Sequence, residues 1–183
     1  ASAASVVKLP PGIDKATAGP LFCGGITVFN PLVQFDIQAT DKIAVIGIGG
    51  LGHLALKFLH AWGCEVTAFT STASKRQEAL ALGARHTIDS TDRDKIRKHI
   101  NSFDLIISTV AVDLDWPEYV ATLKPKGRLH FVGIPTQPIA LGVVSLLRSQ
   151  KSVSASPVGS PATIARMLEF AALHGIKPDV EEY

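Results

Sequence analysis

The residues with the clearest chemical potential are Gly47-Ile48-Gly49-Gly50-Leu51-Gly52, which read G-x-G-x-x-G. Such a string means little alone. It gains meaning where a strand runs into it and a helix leaves it. There, Gly47 permits a tight turn, Gly49 lacks the Cβ that would keep a pyrophosphate from the backbone, and Gly52 lets the helix lie close to the strand. The first turn of the helix, Gly50 and Leu51 included, would offer free N–H groups and roughly half a positive charge to a phosphate.

About 20 residues further on, an NAD-binding chain of this kind carries an acid that takes the ribose 2′-hydroxyl. Here the stretch is Phe69-Thr70-Ser71-Thr72-Ala73-Ser74-Lys75-Arg76, with hydroxyls and bases and no acid. Thr70, Ser71 and Lys75 would instead suit a 2′-phosphate, through charge-assisted hydrogen bonds worth about 1.5–3 kcal/mol each. NADP is therefore expected over NAD. The two cysteines, Cys23 and Cys64, form neither a disulfide framework nor a C-x-x-C metal motif, so a reducing, cytoplasmic setting is expected.

The elements that would position these residues follow from hydrophobic period. Ile43–Ile46, Val66–Phe69, Phe103–Ser108 and Arg128–Val132 read as strands, the first a continuous apolar run like a strand buried on both faces. His86–Ile88 and Ser152–Ser156 read as shorter strands. Leu51, Leu54, Ala55, Phe58 and Trp62 recur at helical spacing before Gly63. Helices are expected at Ser74–Leu82, at Asp92–Ile100 (charged and exposed), at Asp115–Leu123, and after an N-cap at Ser160 with Pro161 in the first turn. Lys124-Pro125-Lys126-Gly127 reads as a turn. Leu21–Val33 reads as a helix with Gly24-Gly25 where another backbone comes close, and Asp14 as the cap of a short helix. Strands alternating with helices make an α/β fold: a doubly wound, six-stranded parallel sheet with helices on both faces, the Rossmann architecture.

Composition narrows the function. Hydrophobic residues make up 46% and charged residues 19%, and the net charge is +2 with the basic residues scattered. A nucleic-acid partner is not expected, nor a membrane span, since no apolar run approaches the ~20 residues required. A short-chain dehydrogenase would need Tyr-x-x-x-Lys, but Leu123 stands four positions after Tyr119, and Tyr183 is the final residue.

Several segments resemble the zinc-dependent medium-chain alcohol dehydrogenases of the cinnamyl-alcohol-dehydrogenase type, which include bacterial NADPH-dependent aldehyde reductases. Pro20–Val28 (PLFCGGITV) is similar to that family's PLLCAGITV, and GIGGLGH at 47–53, ALALGA at 79–84, LKPKG at 123–127 and Phe131-Val132-Gly133 fit it too. The resemblance implies a two-domain zinc enzyme that interconverts aldehydes and alcohols with NADP(H). It implies that Cys23 is one of three protein ligands to catalytic zinc, the others lying in a catalytic domain absent from this sequence. It also places Thr27 near the nicotinamide and Ser108, Thr109 and Val110 along the adenosine and ribose. Gly133 and Ile134, with Ser154 to Ser156, would hold the carboxamide through backbone groups, and His53 would lie either near the pyrophosphate or in helix packing.

The expected division is a linker and bridging helix over 1–40, the NADP-binding domain over 41–178, and the start of a return to the catalytic domain over 179–183. The chain has no initial Met and is expected to be part of a longer protein, inactive alone because one thiolate cannot hold a catalytic zinc. Cys64 is expected in the core. A homodimer through residues 138–153 is expected, unless Leu141, Val143, Val144, Leu146 and Leu147 pack on their own sheet. The alternatives are a zinc-free quinone-reductase-like member of the superfamily or a non-catalytic NADP-binding module.

Overall fold

The computed structural model describes residues 6–180. Six parallel strands, β1 (Lys42–Ile46), β2 (Glu65–Thr70), β3 (His86–Asp89), β4 (Phe103–Ser108), β5 (Leu123–Phe131) and β6 (Ser152–Ala155), lie in the order β3-β2-β1-β4-β5-β6. The order reverses between β1 and β4, which is the switch point of a doubly wound sheet. The fold is the Rossmann architecture expected.

Both sheet faces are covered, because successive strand residues point to opposite sides. Ile43 and Val45 of β1 join one apolar cluster, and Ala44 and Ile46 the other. The first cluster is closed by α1 (Gly24–Gln34), α2 (Gly50–Trp62) and α7 (Pro161–His174). Their aromatic rings interlock: Phe29 meets Phe58 at 5.3 Å, Trp62 at 5.6 Å and Phe170 at 5.6 Å between centroids. The second cluster is closed by Ile96 of α4 (Arg93–Arg97) and by Trp116, Tyr119 and Val120 of α5 (Trp116–Thr122).

Helix ends follow local chemistry. α2 stops where Gly63 takes φ 99°, and the chain after α3 (Ala73–Ala81) turns at Gly83, with φ 107°. Ser160 caps α7, its Oγ accepting from the Thr163 N–H at 3.1 Å.

Several expectations need correction. Lys124–Gly127 falls within the bounds of β5, yet none of the four pairs with β4: the register passes from Phe103–Leu123 to Leu105–Arg128 and Lys126 sits at φ 65°, so the expected turn is an excursion inside the strand. The helix after Asp92 is shorter than expected, and its Ile96 is buried. The first helix is broken. A 3-10 helix over Gly19–Phe22 ends at Cys23, and α1 begins at Gly24. What lies nearest Gly24 is not another backbone but the Leu51 and Leu54 side chains, each 3.4 Å from where a Cβ would stand. Asp14 accepts from the Ala16 N–H at 3.0 Å in a turn and caps no helix.

A further helix, α6 (Val143–Leu147), lies in the stretch expected to mediate a dimer. Leu141 and Leu146 pack on the second cluster, whereas Val143, Val144 and Leu147 are exposed.

The Ser160 cap gives a direct check on the last helix. Ser160→Ala should cost about 1 kcal/mol and lower the thermal midpoint by about 2–4 °C, read by calorimetry. An unchanged midpoint would show that the cap adds nothing.

Candidate functional site

The site is built where β1 meets α2. Gly47 takes φ 88°, and its N–H bonds the Phe69 carbonyl at 3.1 Å, tying the turn to β2. A Cβ there would stand 2.3 Å from Val110 Cγ1. At Gly52 a Cβ would stand 2.0 Å from the Gly47 carbonyl oxygen, so only hydrogen fits between the helix and the turn. Gly49 and Gly50 differ: nothing lies within 4 Å of a Cβ at either. The protein's own packing therefore accounts for glycine at 47 and 52 and leaves open space at 49 and 50. Space against backbone at the start of a thirteen-residue helix is what a phosphate requires.

Gly47, Gly49, Thr70, Ser71, Lys75, Thr109 and Val110 come together around one cleft of about 570 Å³ at the C-terminal ends of β1, β2 and β4. Thr72 and Ser74 of the same hydroxyl-bearing stretch join them, as does Ser90, which was unforeseen in the sequence, so hydroxyls dominate the wall beyond β2. Thr109 does more than line the cleft. Its hydroxyl lies 2.9 Å from the Ile46 carbonyl and 3.1 Å from the Gly47 carbonyl, and holds the turn across the switch point. Leu51 contributes its place in the first helical turn, while its side chain packs on the core beside Gly24.

Gly133, Ile134 and Ser156 line a second, smaller cleft of about 270 Å³. Gly133 of this cleft packs against Val110 of the larger one: a Cβ on Gly133 would stand 2.3 Å from the Val110 carbonyl oxygen. Asp113 clips the loop after β5 to the loop after β4, accepting from the Thr136 hydroxyl at 2.6 Å and the Gln137 N–H at 3.0 Å; these bonds hold its carboxyl below the usual carboxylate range. Cys23 is exposed at the break before α1. Thr27, one turn into α1, is buried, with its N–H bonded to the Cys23 carbonyl at 3.1 Å. Neither lines these clefts.

The charges near β2 are more balanced than the sequence suggested. Lys75 Nζ lies 2.7 Å from a Glu78 carboxylate oxygen. Arg76 pairs with Asp89, an acid at the end of the adjacent β3. Bonds from the Thr91 hydroxyl and N–H, then the charges of Arg76 and Lys95, hold the Asp89 carboxyl below the usual range. Lys75 is half exposed, and an ion pair of that kind is weak enough to exchange for a phosphate.

His53 sits beside the glycine turn with both ring nitrogens bonded to the protein. Its Nε2 accepts from the Asp179 N–H at 3.2 Å, which leaves Nδ1 to donate to the Gly49 carbonyl at 3.3 Å. Lys57 adds an ion pair to Asp179 at 2.6 Å. The ring thus packs the chain that follows α7 onto α2, as the helix-packing alternative had it. Cys64 is a core thiol, pushed up to about 12 chiefly by burial. His130 was not foreseen. It is fully buried on β5, with Nδ1 2.9 Å from Ser154 Oγ and Nε2 2.9 Å from Ser156 Oγ. Burial, then the Arg128 charge, lowers its pKa to about 4, so the ring is neutral at neutral pH.

Among the described residues no three His, Cys, Asp or Glu side chains gather as metal ligands. No helix among them is long and apolar enough to cross a membrane.

A glycine turn at the switch point of a doubly wound sheet, opening on a hydroxyl-rich cleft, defines a Rossmann domain with a candidate dinucleotide site. The chain belongs to the zinc-binding dehydrogenase family, whose model matches residues 50–172. It is 61% identical over 183 residues to the aldehyde reductase AdhA of Synechocystis sp., covering 100% of this chain and 54% of that protein. Two solved structures resemble it. A cinnamyl alcohol dehydrogenase from Sorghum bicolor has a TM-score of 0.91 and 37% identity, with 96% of this chain and 50% of that one covered. The CAD of Helicobacter pylori, in complex with NADP(H), has a TM-score of 0.84 and 30% identity, with the same coverage. The chain spans about half the length of the curated relatives it matches.

The contrast between the glycines can be measured. Gly49→Ala should leave stability within about 0.5 kcal/mol of the parent yet weaken dinucleotide binding about tenfold or more. Gly52→Ala should cost about 1–3 kcal/mol of stability, because backbone must move. Urea unfolding and calorimetric titration separate the two, and equal stability losses would refute the distinction.

Proposed function

We propose that the chain is the cofactor-binding part of an oxidoreductase that interconverts aldehydes and primary alcohols by hydride transfer with NADP(H) at a catalytic zinc. The observation that carries the cofactor assignment is the open backbone at Gly49 and Gly50 beside a wall of hydroxyls and Lys75. In this reading the first-turn N–H groups of α2 take the pyrophosphate, and Thr70, Ser71 and Lys75 take the 2′-phosphate. Thr109 and Val110 line the path across the switch point. Backbone groups of Gly133, Ile134, Ser154 and Ser156 would hold the nicotinamide half, with Thr27 near the ring. The family and the aldehyde reductase relative point to the reaction class, and the NADP(H) complex of the Helicobacter pylori protein points to the cofactor.

The described residues do not by themselves make a zinc site, since a catalytic zinc needs three protein ligands and an open position. Cys23, exposed before α1, is the one ligand proposed here, and the others would come from outside the described residues. By itself the chain is proposed to bind cofactor without turnover. Residues 1–40 are proposed as linker and bridging helix, 41–178 as the NADP-binding domain, and 179–183 as the start of a return to a catalytic domain; 1–5 and 181–183 lie outside the described residues. The free thiols fit a cytoplasmic location.

A homodimer through residues 138–153 is also proposed, because Val143, Val144 and Leu147 are exposed beside the edge strand β6. Light scattering should show a dimer that Leu147→Asp converts to a monomer. A monomeric parent chain at high concentration would remove the proposal.

The cofactor assignment is tested by calorimetric titration of the parent chain and Lys75→Ala with NADP and with NAD. Loss of the ammonium should weaken NADP about tenfold and leave NAD unchanged. Equal effects on the two would overturn the phosphate role.

A further inference from the structure

The buried imidazole of His130 calls for a physical reason. It is fully buried on the face of β5 that also carries Arg128, where a polar ring is costly unless both nitrogens are bonded. Both are, and to serines on the neighbouring strand: Ser154 directly opposite in register, and Ser156 two residues on, at 2.9 Å each. Since the ring is neutral, one nitrogen donates to one hydroxyl and the other accepts from the second. The edge of the Phe35 ring meets it at 5.0 Å between centroids and closes the site from the end of α1.

What this arrangement steadies is β6, a four-residue strand paired with β5 alone. Beyond its last residue the ladder continues only through the long Ser156 N–H to Phe131 carbonyl bond, 3.3 Å. Yet Ala155, Ser156 and Pro157 form one wall of the smaller cleft. If the larger cleft takes the pyrophosphate at Gly49 and the adenosine-side ribose beyond β2, the other nucleotide must extend past Val110 and Gly133 toward β5 and β6, because the ligand crosses the switch point. The end of β6 is then a contact surface for that second half.

We propose that His130 is a positioning residue for the nicotinamide half of the dinucleotide: by holding the Ser154 and Ser156 hydroxyls inward, it fixes the end of β6 and leaves backbone groups to face the cleft. This rests on the dinucleotide reading of the cleft. It also explains a serine at both 154 and 156 without either hydroxyl touching the ligand.

The test compares NADPH with 2′,5′-ADP, which carries only the adenosine half and its 2′-phosphate, by calorimetric titration of the full chain and three variants. His130→Leu should weaken NADPH about tenfold while 2′,5′-ADP stays within about twofold. His130→Gln, whose amide offers one donor and one acceptor, should recover most of the loss. Ser156→Ala alters the core least and should show the same selective loss in milder form, which decides the matter if His130→Leu fails to fold. Equal weakening of both ligands, or of neither, in Ser156→Ala, or a His130→Gln that binds NADPH no better than His130→Leu, would reduce His130 to a packing residue and overturn the proposal. If the unaltered chain bound neither ligand, the dinucleotide reading itself would fall, and this proposal with it.

Discussion

The molecule depends on how closely the first strand and the helix after it approach one another. A Cβ at Gly52 would stand 2.0 Å from the Gly47 carbonyl oxygen, and one at Gly47 would strike Val110. Backbone therefore packs on backbone, with side chains excluded from two sides. That approach fixes where the N-terminus of α2 points, and the free N–H groups of its first turn point with it. The Thr109 hydroxyl, bonded to the carbonyls of Ile46 and Gly47, brings the β4 side of the switch point to the same place. The crevice is a consequence of these contacts, and the sheet order decides that it opens between β1 and β4.

Around that fixed point the chain arranges charge with little surplus. Lys75 and Arg76 each have a carboxylate partner, and Asp113 spends its charge on a hydroxyl and an amide that bind two loops together. The differences between the partners matter. The Arg76–Asp89 pair is the better buried and belongs to the fold, joining α3 to the end of β3, whereas the Lys75–Glu78 pair lies within one exposed helical turn and opens readily to a competing anion. The cleft takes hydroxyls and Lys75 from the β2 side and apolar side chains, Val110, Val112 and Leu114, from the β4 side.

Much of this was legible in the sequence where physics acts locally. The apolar run at 43–46 became the body of β1, and Leu105-Ile106-Ile107 the buried centre of β4, because strands buried on both faces show as short continuous apolar runs. Gly63 and Gly175 ended helices in the left-handed conformation that favours glycine. What stayed hidden depended on partners far along the chain. Lys124-Pro125-Lys126-Gly127 has the composition of a turn, and what the sequence could not show is that Leu123 before it and Arg128 after it both pair with β4, so that it lies inside one strand. Asp89 could not be seen as Arg76's partner, because β2 and β3 become neighbours only when the sheet forms. Nothing near His130 in the sequence marks it out from the rest of its strand. The one available signal was a serine at alternate positions 154 and 156 on a later strand, which only the register turns into a pair of ligands for its ring. α6 is five residues long, too short for a helical period to show.

In the proposed function a dinucleotide pyrophosphate sits on the backbone at the start of α2. The most direct measurement is the amide NMR spectrum of the isotope-labelled chain as NADPH is added. The account predicts that the largest shifts fall on the N–H groups of Gly49, Gly50, Leu51 and Gly52, with smaller ones at Ser71 and Lys75. Saturable binding with those amides unmoved, and the shifts gathered elsewhere, would contradict it.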